Sequence, residues 1–368
     1  MEQRLNTPPA CHNIADFEAI ARDRLEPGAF GYFAGGAGDE HTLAENVRAF
    51  ERIRLTPRVL VDASHIDTSL VLLGLALPSP ILLAPTAYHR LAHPDGEQAT
   101  ARAAGAVGAL MVASTMSTCT MEEIAAAASA PLWFQLYVHR NRDITRHFLE
   151  RAEAACYRAI VLTVDTPLLG RRERDLRTGF KLPADMPTAN FLAKFPEYAH
   201  ASAIGTDSTL RTRALATLEP ALTWEKLRDI RAMTRLPILL KGVMAAADAR
   251  RAVTEGVDGL IVSNHGGRQL DGAEATITAL PHVVEAVGDA LPVLVDGGIR
   301  RGVDVLKALA LGAKAVLIGR PYLWGLAANG ENGVRQVLEM FNGELELAMA
   351  LCGCPSITLI ERSMARIE

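Results

Sequence analysis

Short apolar runs rich in β-branched residues recur along the chain, and the segments between them carry helical patterning. Alternation of such strands with helices is typical of βαβ units around a parallel sheet. The eight runs occupy residues 81–84, 110–113, 132–136, 159–164, 238–240, 259–262, 293–295 and 315–318. We therefore expect an α/β protein in which each run forms one strand.

The spacing of the runs decides between sheet architectures. Their starts are 29, 22, 27, 79, 21, 34 and 22 residues apart, and all but one interval fits one strand, one helix and two loops. Thr120 and Glu123 form the sequence of a capping box, and a helix over 245–255 ends at Gly256. Eight units predict a TIM (β/α)8 barrel, with an open eight-stranded sheet as the alternative.

The remaining segments are interpreted as additions to a single domain over 1–368. Before the first run, helices are predicted at 14–25 and 40–51 and a β-type stretch at 69–77. The long interval after the fourth run is rich in proline, and loops of that length are usually functional or disordered. We expect four parts: an N-terminal cap (1–80), the barrel (81–325), a mobile active-site lid inserted at about 168–222, and C-terminal helices (326–368).

Composition narrows the class of protein. The chain is 49% hydrophobic and 22% charged with a net charge of −4, which indicates a globular protein and gives no basic footprint for nucleic acid. The most apolar stretch, 70–84, is interrupted by Pro78 and Pro80 and is shorter than the ~20 residues of a membrane helix. We expect no membrane span, a cytoplasmic location, and no disulfide framework or zinc site from five scattered cysteines.

Candidate chemistry stands at the ends of the predicted strands, where barrel enzymes place their active sites. His265 follows the sixth run beside Arg268, which suggests a general base next to an anion-binding group. Lys241 ends the fifth run, and the residues alone leave open whether it stabilises charge or forms a Schiff base. Tyr32, among glycines at 31–36, either borders a binding site or packs in the core.

The last two strand ends predict a phosphate site. The sequence DGGIR at 296–300 and Gly319–Arg320 supply small residues, backbone N–H donors and two guanidinium groups after strands seven and eight. Barrel enzymes commonly hold a phosphate at this position, and glycine lets the backbone approach an anion closely. A phosphorylated ligand is therefore expected.

Together these stretches resemble the FMN-dependent 2-hydroxy acid oxidase and dehydrogenase family, which includes glycolate, lactate and hydroxymandelate oxidases. The resemblance runs from Tyr32 to the helix after Arg320. It rests on SNHGGRQLD at 263–271, LTVDTP at 162–167, GRR at 170–172, LKG at 240–242, DGGIR at 296–300 and IGR at 318–320.

The resemblance implies FMN in the barrel mouth, with Lys241 near the N1/O2 edge of the ring, where a positive charge favours reduced flavin. It implies that His265 is the general base, that Arg268 and Tyr32 hold the substrate carboxylate, and that Tyr137 and Arg172 also contact substrate. The cofactor-binding residues it implies are Pro85, Thr86, Ala87, Ser114, Gln135, Thr163, Lys241, Ser263, Asp296, Gly297, Gly298, Arg300, Gly319 and Arg320.

The expected reaction is oxidation of an (S)-2-hydroxy acid to the 2-oxo acid, with O2 as acceptor and H2O2 as product. Met116 stands where glycolate oxidase-like members carry tryptophan, and the stretch at 87–91 resembles hydroxymandelate oxidase, which favours an aryl or longer-chain substrate. The alanine at position 87 resembles the residue that the oxidases of the family carry there. Family members form tetramers or larger assemblies, so a homo-oligomer (tetramer or octamer) is expected.

Other functions remain open from sequence. Within the family, the alternatives are a dehydrogenase that uses a quinone or carrier protein and a lactate monooxygenase-like enzyme that decarboxylates its product. Outside it, Lys241 would serve a Schiff-base aldolase, or the barrel would be a catalytically silent binding module.

Overall fold

The computed structural model describes residues 11–199 and 218–368. Within these residues the strands, in chain order, are β1 (Ile53–Leu55), β2 (Leu70–Leu72), β3 (Leu75–Leu77), β4 (Ile81–Leu83), β5 (Met111–Ser114), β6 (Leu132–Leu136), β7 (Ile160–Thr163), β8 (Ile238–Val243), β9 (Gly259–Val262), β10 (Val293–Asp296), β11 (Ala315–Ile318) and β12 (Ala365–Ile367).

Strands β4 to β11 form one closed parallel barrel, in which each strand pairs with the next along the chain. Closure comes from β11 and β4, where Leu317 lies opposite Leu82. A TIM barrel is therefore confirmed over an open sheet. Each of the eight predicted runs corresponds to a barrel strand. These strands are visible in the sequence as apolar runs because both of their faces are buried, so that nearly every position is apolar.

Helices alternate with these strands and surround them. Thr120 caps its helix as expected, accepting from the Glu123 N–H at 3.2 Å while the Glu123 carboxylate accepts from the Thr120 N–H at 2.7 Å. The described helices are Ile14–Arg24, Pro27–Ala34, His41–Glu51, Gly96–Ala106, Met121–Ala127, Arg142–Ala154, Glu173–Thr178, Pro196–Ala199, Trp224–Arg231, Ala246–Thr254, Thr276–Val287, Gly302–Ala310 and Arg320–Leu351.

The hydrophobic core has two layers, one outside and one inside the barrel wall. In β4, Ile81 and Leu83 pack outward among helix side chains, whereas Leu82 points into the barrel. The inner layer also contains Leu72 and Leu77 of the β2–β3 hairpin. This hairpin therefore plugs the N-terminal end of the barrel and leaves the C-terminal end for a ligand.

The chain outside the barrel differs in part from expectation. Helix Pro27–Ala34 was not predicted, because its short sequence holds two glycines, although Pro27 stands at the first helical position, where proline is favoured. The C-terminal helices expected over 326–368 end at Leu351; two short 3₁₀ helices and β12 follow, and β12 pairs with β1.

The described ends of the predicted lid pack against the barrel. Asn190 donates to the Ser114 and Thr115 carbonyls at 3.3 and 3.1 Å and accepts from the Met121 N–H at 2.8 Å. Residues 200–217 of the lid lie outside the described residues, so its mobility stays a prediction.

Among the helices in the described part of the chain, none is long and apolar enough to cross a membrane.

Candidate active site

The C-terminal ends of the barrel strands surround one cavity with about 1250 Å³ of empty space, including the part open to solvent. Most of the predicted site residues line it: Tyr32, Pro85, Thr86, Ala87, Ser114, Tyr137, Arg172, Lys241, His265, Arg268, Asp296, Gly297, Gly298, Arg300, Gly319 and Arg320.

The other three predicted residues lie directly behind the cavity wall. Gln135 accepts from the Ser114 hydroxyl at 3.2 Å and donates to the Thr163 hydroxyl at 3.0 Å. Ser263 accepts from the Lys241 ammonium at 2.8 Å. The structure thus brings all predicted site residues together, while their individual roles stay predictions.

His265 is held by three hydrogen bonds immediately after β9. Its N–H donates to the Ser263 hydroxyl at 3.1 Å, its Nδ1 lies 2.9 Å from Asp165 Oδ1, and its Nε2 lies 3.4 Å from the Tyr137 hydroxyl. Its φ of 60° is in the left-handed region, a strained conformation for a residue with a side chain.

Burial and charge together fix the protonation of this pair. Burial lowers the pKa of His265, and the neighbouring Asp165 offsets this only in part. For Asp165, burial opposes ionisation, but His265 and Lys241 outweigh it and hold the carboxyl pKa below its usual value. A neutral imidazole donates Nδ1–H to the carboxylate, which leaves the Nε2 lone pair beside Tyr137 free to accept a proton.

Lys241 is a buried, charged group rather than a nucleophile. Its ammonium lies 3.0 Å from Asp296 Oδ2. Burial favours the neutral amine, but Asp296 and Asp165 outweigh burial and raise the pKa of Lys241. A Schiff base requires a neutral amine, so the geometry favours charge stabilisation, the other function that the sequence left open.

The guanidinium groups of Arg268 and Arg320 anchor helix Pro27–Ala34 to the cavity. Arg268 donates to the carbonyls of Tyr32 and Gly35 at 2.6 and 2.9 Å, and its guanidinium lies 4.9 Å from the centre of the Tyr32 ring. Arg320 donates to the carbonyls of Phe33, Gly35 and Gly266 at 2.9, 2.8 and 3.1 Å. Cations at a helix C-terminus are favourable, so these contacts also explain where helix Pro27–Ala34 ends.

The cavity carries an excess of positive charge. No carboxylate of residues 11–199 or 218–368 forms an ion pair with Arg172, Arg268, Arg300 or Arg320. Burial, followed by the nearby Arg172, lowers the pKa of Arg268 to about 10. Burial likewise lowers the pKa of Arg320, and Arg268 lowers it further. Such a cavity is built to receive anions.

The donor set fits FMN. Gly298 has a φ of 84°, and a Cβ there would lie 1.9 Å from the Asn46 carbonyl oxygen, so only glycine allows the turn. Arg300 and Arg320 suit a phosphate. Asp296 Oδ1 is buried with no hydrogen-bond partner among the described residues, and it can accept from a ribityl hydroxyl.

Several residues in or behind the cavity lining are not predictable from the sequence. Asp165 is reached through its hydrogen bond to His265, and nothing in the sequence pairs it with a histidine a hundred positions away. Tyr88, with a φ of 61°, and Leu169 and Leu218 in the described parts of the lid line the cavity. For Tyr88 and Leu169 the only signal is a position shortly after a strand end, and Leu218 has no such signal.

Known proteins resemble the chain over nearly its whole length. It is 52% identical over 356 residues to a peroxisomal (S)-2-hydroxy-acid oxidase of Oryza sativa subsp. japonica, covering 97% of this chain and 96% of that protein. It is 48% identical over 360 residues to an L-lactate oxidase of Nostoc sp., covering 96% and 98%. A crystal structure of mandelate oxidase with (S)-4-hydroxymandelic acid matches at a TM-score of 0.90 and 46% identity, covering 96% and 98%.

The family model described as FMN-dependent dehydrogenase matches residues 21–367. With this match, the barrel, the anion-receiving cavity and the relatives agree, and the chain belongs to the FMN-dependent dehydrogenase family.

Proposed function

We propose that the protein oxidises (S)-2-hydroxy acids to 2-oxo acids. The observation that carries the proposal is that a neutral His265, hydrogen-bonded to the Asp165 carboxylate at 2.9 Å, lines the same cavity as arginines that form no ion pair with any described carboxylate. A base and a carboxylate receptor side by side match a substrate whose hydroxyl-bearing carbon is next to a carboxylate. Bound FMN supplies the two-electron acceptor, and O2 reoxidises it to give H2O2.

Each side chain then has a separate task. Arg268 and Tyr32 bind the carboxylate, with Arg172 approaching from the lid, and Tyr137 contacts the substrate hydroxyl. His265 Nε2 accepts either the α-proton or the hydroxyl proton, and both routes end at the 2-oxo acid. Lys241 keeps a fixed positive charge at the cofactor.

The apolar part of the cavity supports an aryl or longer-chain substrate. Met116, Leu169 and Leu218 line it, and Tyr88 adds an aromatic surface. The flexible Met116 side chain leaves room that the larger ring of a tryptophan at the same position would fill. The alternatives for the electron acceptor are a quinone or carrier protein, or O2 in a monooxygenase that decarboxylates the product.

The test of the base is His265→Gln. The variant should retain FMN, because His265 does not belong to the phosphate site, and anaerobic flavin reduction by substrate should slow by ~10² to 10⁴-fold. The bleaching of the flavin absorbance measures this directly in a stopped-flow instrument. A near-normal rate of reduction would refute the assigned role.

Substrate and acceptor are resolved together by a panel of hydroxy acids. Glycolate, lactate, mandelate and longer 2-hydroxy acids are each mixed anaerobically with enzyme, and reoxidation by O2 is then followed. We expect the fastest reduction with mandelate or a longer acid and stoichiometric H2O2. Fast reduction with slow reoxidation by O2 would favour the dehydrogenase alternative.

A further inference from the structure

A chain of hydrogen bonds runs from the cavity wall into the protein behind it. Thr86 lines the cavity, and its hydroxyl lies 2.7 Å from His89 Nε2 and in short contact with the Tyr322 hydroxyl. His89 Nδ1 lies 3.0 Å from the Thr100 hydroxyl, and the Tyr322 hydroxyl donates to the Ala84 carbonyl at 2.8 Å. His89, Thr100 and Tyr322 are fully buried.

Counting protons selects one arrangement of this chain. The Ala84 carbonyl only accepts, so the single Tyr322 proton goes to it. The close contact between Thr86 and Tyr322 then requires Thr86 to donate its own proton to the Tyr322 oxygen. His89 Nε2, which also lies 3.3 Å from the Tyr322 hydroxyl oxygen, must therefore carry a proton and donate to Thr86 at 2.7 Å. Nδ1 then accepts from the Thr100 hydroxyl at 3.0 Å, a shorter contact than the 3.4 Å between that hydroxyl and the Gly96 carbonyl.

This arrangement of hydrogen bonds requires a neutral His89 ring, and the surroundings of the ring support that state. Burial lowers the pKa of His89, and the nearby Glu97 only partly opposes this. The hydrogen bonds of the Glu97 carboxylate go to groups other than the ring. The carboxylate accepts from the backbone N–H groups of His89, Thr118 and Cys119 at 3.1, 2.9 and 3.0 Å, and from the Thr118 hydroxyl at 2.6 Å.

The geometry points to His89 and Tyr322 as positioning residues that fix the Thr86 hydroxyl as a hydrogen-bond acceptor toward the flavin. The Thr86 proton is directed at Tyr322 and one lone pair at His89, which leaves a lone pair for the cavity. The effect on flavin rests on FMN occupying this cavity as proposed above, whereas the arrangement of the buried chain does not.

An acceptor at this position has a defined consequence for the cofactor. Anionic reduced flavin, the form that the Lys241 charge favours, carries one more ring N–H than oxidised flavin, so a wall that only accepts stabilises the reduced form. Hydrogen bonds to the flavin ring are among the means by which a protein tunes the cofactor. Tyr322 and His89 therefore raise the reduction potential without touching the flavin.

The test is the reduction potential of the FMN-loaded Tyr322→Phe variant. Removing the phenol frees the Thr86 proton to donate to oxidised flavin, so the potential should fall. We expect about a tenfold change in the reduced-to-oxidised ratio, which corresponds to about 30 mV for a two-electron couple. In a Thr86→Val background, the same substitution should have no further effect.

A matched control separates this effect from loss of a buried hydrogen bond in general. Tyr157 is also buried and donates to a backbone carbonyl, that of Met121, at 3.0 Å, but among the described residues it is not part of the cavity lining. Tyr157→Phe should lower the stability to urea as Tyr322→Phe does and leave the potential unchanged. Equal shifts in both variants, or a shift that persists without the Thr86 hydroxyl, would overturn the proposal.

The protonation of His89 is tested independently of the flavin potential. In 15N-histidine-labelled holoenzyme, with His89→Gln used to assign the signal, we expect a neutral ring protonated at Nε2 from pH 6 to 8. A ring protonated at Nδ1, or a charged ring, would refute the arrangement even if FMN binds and hydroxy acids are oxidised. A correct tautomer in a protein that fails to oxidise hydroxy acids would instead refute only the proposed function.

Discussion

The imidazole of His265 is subject to opposing influences on its pKa. Burial lowers the pKa, Asp165 raises it, and the positive charges of Lys241 and Arg172 lower it further. The net pKa lies below 6.5, so the ring is neutral and able to accept a proton at neutral pH. The rate of anaerobic flavin reduction should therefore be flat near pH 7 and fall in a limb centred below pH 6.5.

Asp165→Asn tests the origin of that limb. Because Asp165 raises the pKa of His265, its loss should move the acidic limb to still lower pH, while the maximal rate falls because the imidazolium loses its counter-charge. Rates of flavin reduction between pH 5 and 9 measure both effects. A limb that moves to higher pH would contradict this account.

Arg268 should act on substrate binding in both ground and transition states. Arg268→Met keeps much of the side-chain volume but removes the carboxylate receptor, so affinity for oxalate, a dicarboxylate inhibitor, should fall by at least tenfold. Spectral titration of the bound flavin gives the dissociation constant. Unchanged oxalate affinity would show that Arg172 alone holds the carboxylate.

At the scale of single residues, functional side chains are predictable from the sequence where they stand directly after a strand. His265 and Lys241 stand at such positions, and the structure brings them to one cavity. Tyr322 and Asp165 act through contacts between distant parts of the chain, such as Thr86 with Tyr322. A single sequence contains no signal for such pairs, because neither composition nor spacing records which side chains meet in the fold.

Among the elements, the β2–β3 hairpin serves stability rather than chemistry. Leu72 is 2% exposed at the closed end of the barrel, whereas its neighbour Val71 on the opposite face is 76% exposed. Leu72→Ala should lower the free energy of unfolding by ~2–5 kcal/mol through loss of packing. Val71→Ala, the matched control, should change it by less than ~0.5 kcal/mol.

The measurement for both variants is urea unfolding followed by circular dichroism. The flavin reduction potential should be unchanged in each, because the hairpin and the cavity occupy opposite ends of the barrel. A Leu72→Ala protein as stable as the parent would mean that the hairpin does not close the barrel interior.

Elements were predictable where their own residues determine them. The barrel strands read as apolar runs because both faces are buried. Helix Pro27–Ala34 is different, since two of its eight residues are glycines, which disfavour it locally. It is stabilised instead by Arg268 and Arg320, which bind its last carbonyls from the far side of the sequence.

For the whole molecule, the accumulation of arginines that no described carboxylate neutralises should make stability depend on an anionic ligand. Removal of FMN should lower the melting temperature, since a ligand at 100 times its dissociation constant stabilises a protein by ~2.7 kcal/mol. Inorganic phosphate should restore part of the loss in the apoprotein, and chloride at equal ionic strength should restore less. Differential scanning calorimetry measures the melting temperature of the FMN-bound protein, of the apoprotein with phosphate and of the apoprotein with chloride.

An exposed arginine provides the control for the stabilisation of the apoprotein by phosphate. Arg300→Gln should reduce the gain from phosphate, whereas Arg335→Gln, whose side chain is 47% exposed, should leave it intact. Equal responses of the two variants would show that phosphate acts by general screening.

The pairing of β1 with β12 has a consequence for synthesis on the ribosome. Ile53 and Ile367 lie opposite each other, so β1 cannot pair with β12 until nearly all of the intervening chain has been translated. The closing pair of the barrel, β4 with β11, imposes the same delay. The edges of β1 and β4 that these partners cover therefore stay unpaired until β12 and β11 have been translated, and we infer that the nascent chain depends on chaperones over that interval.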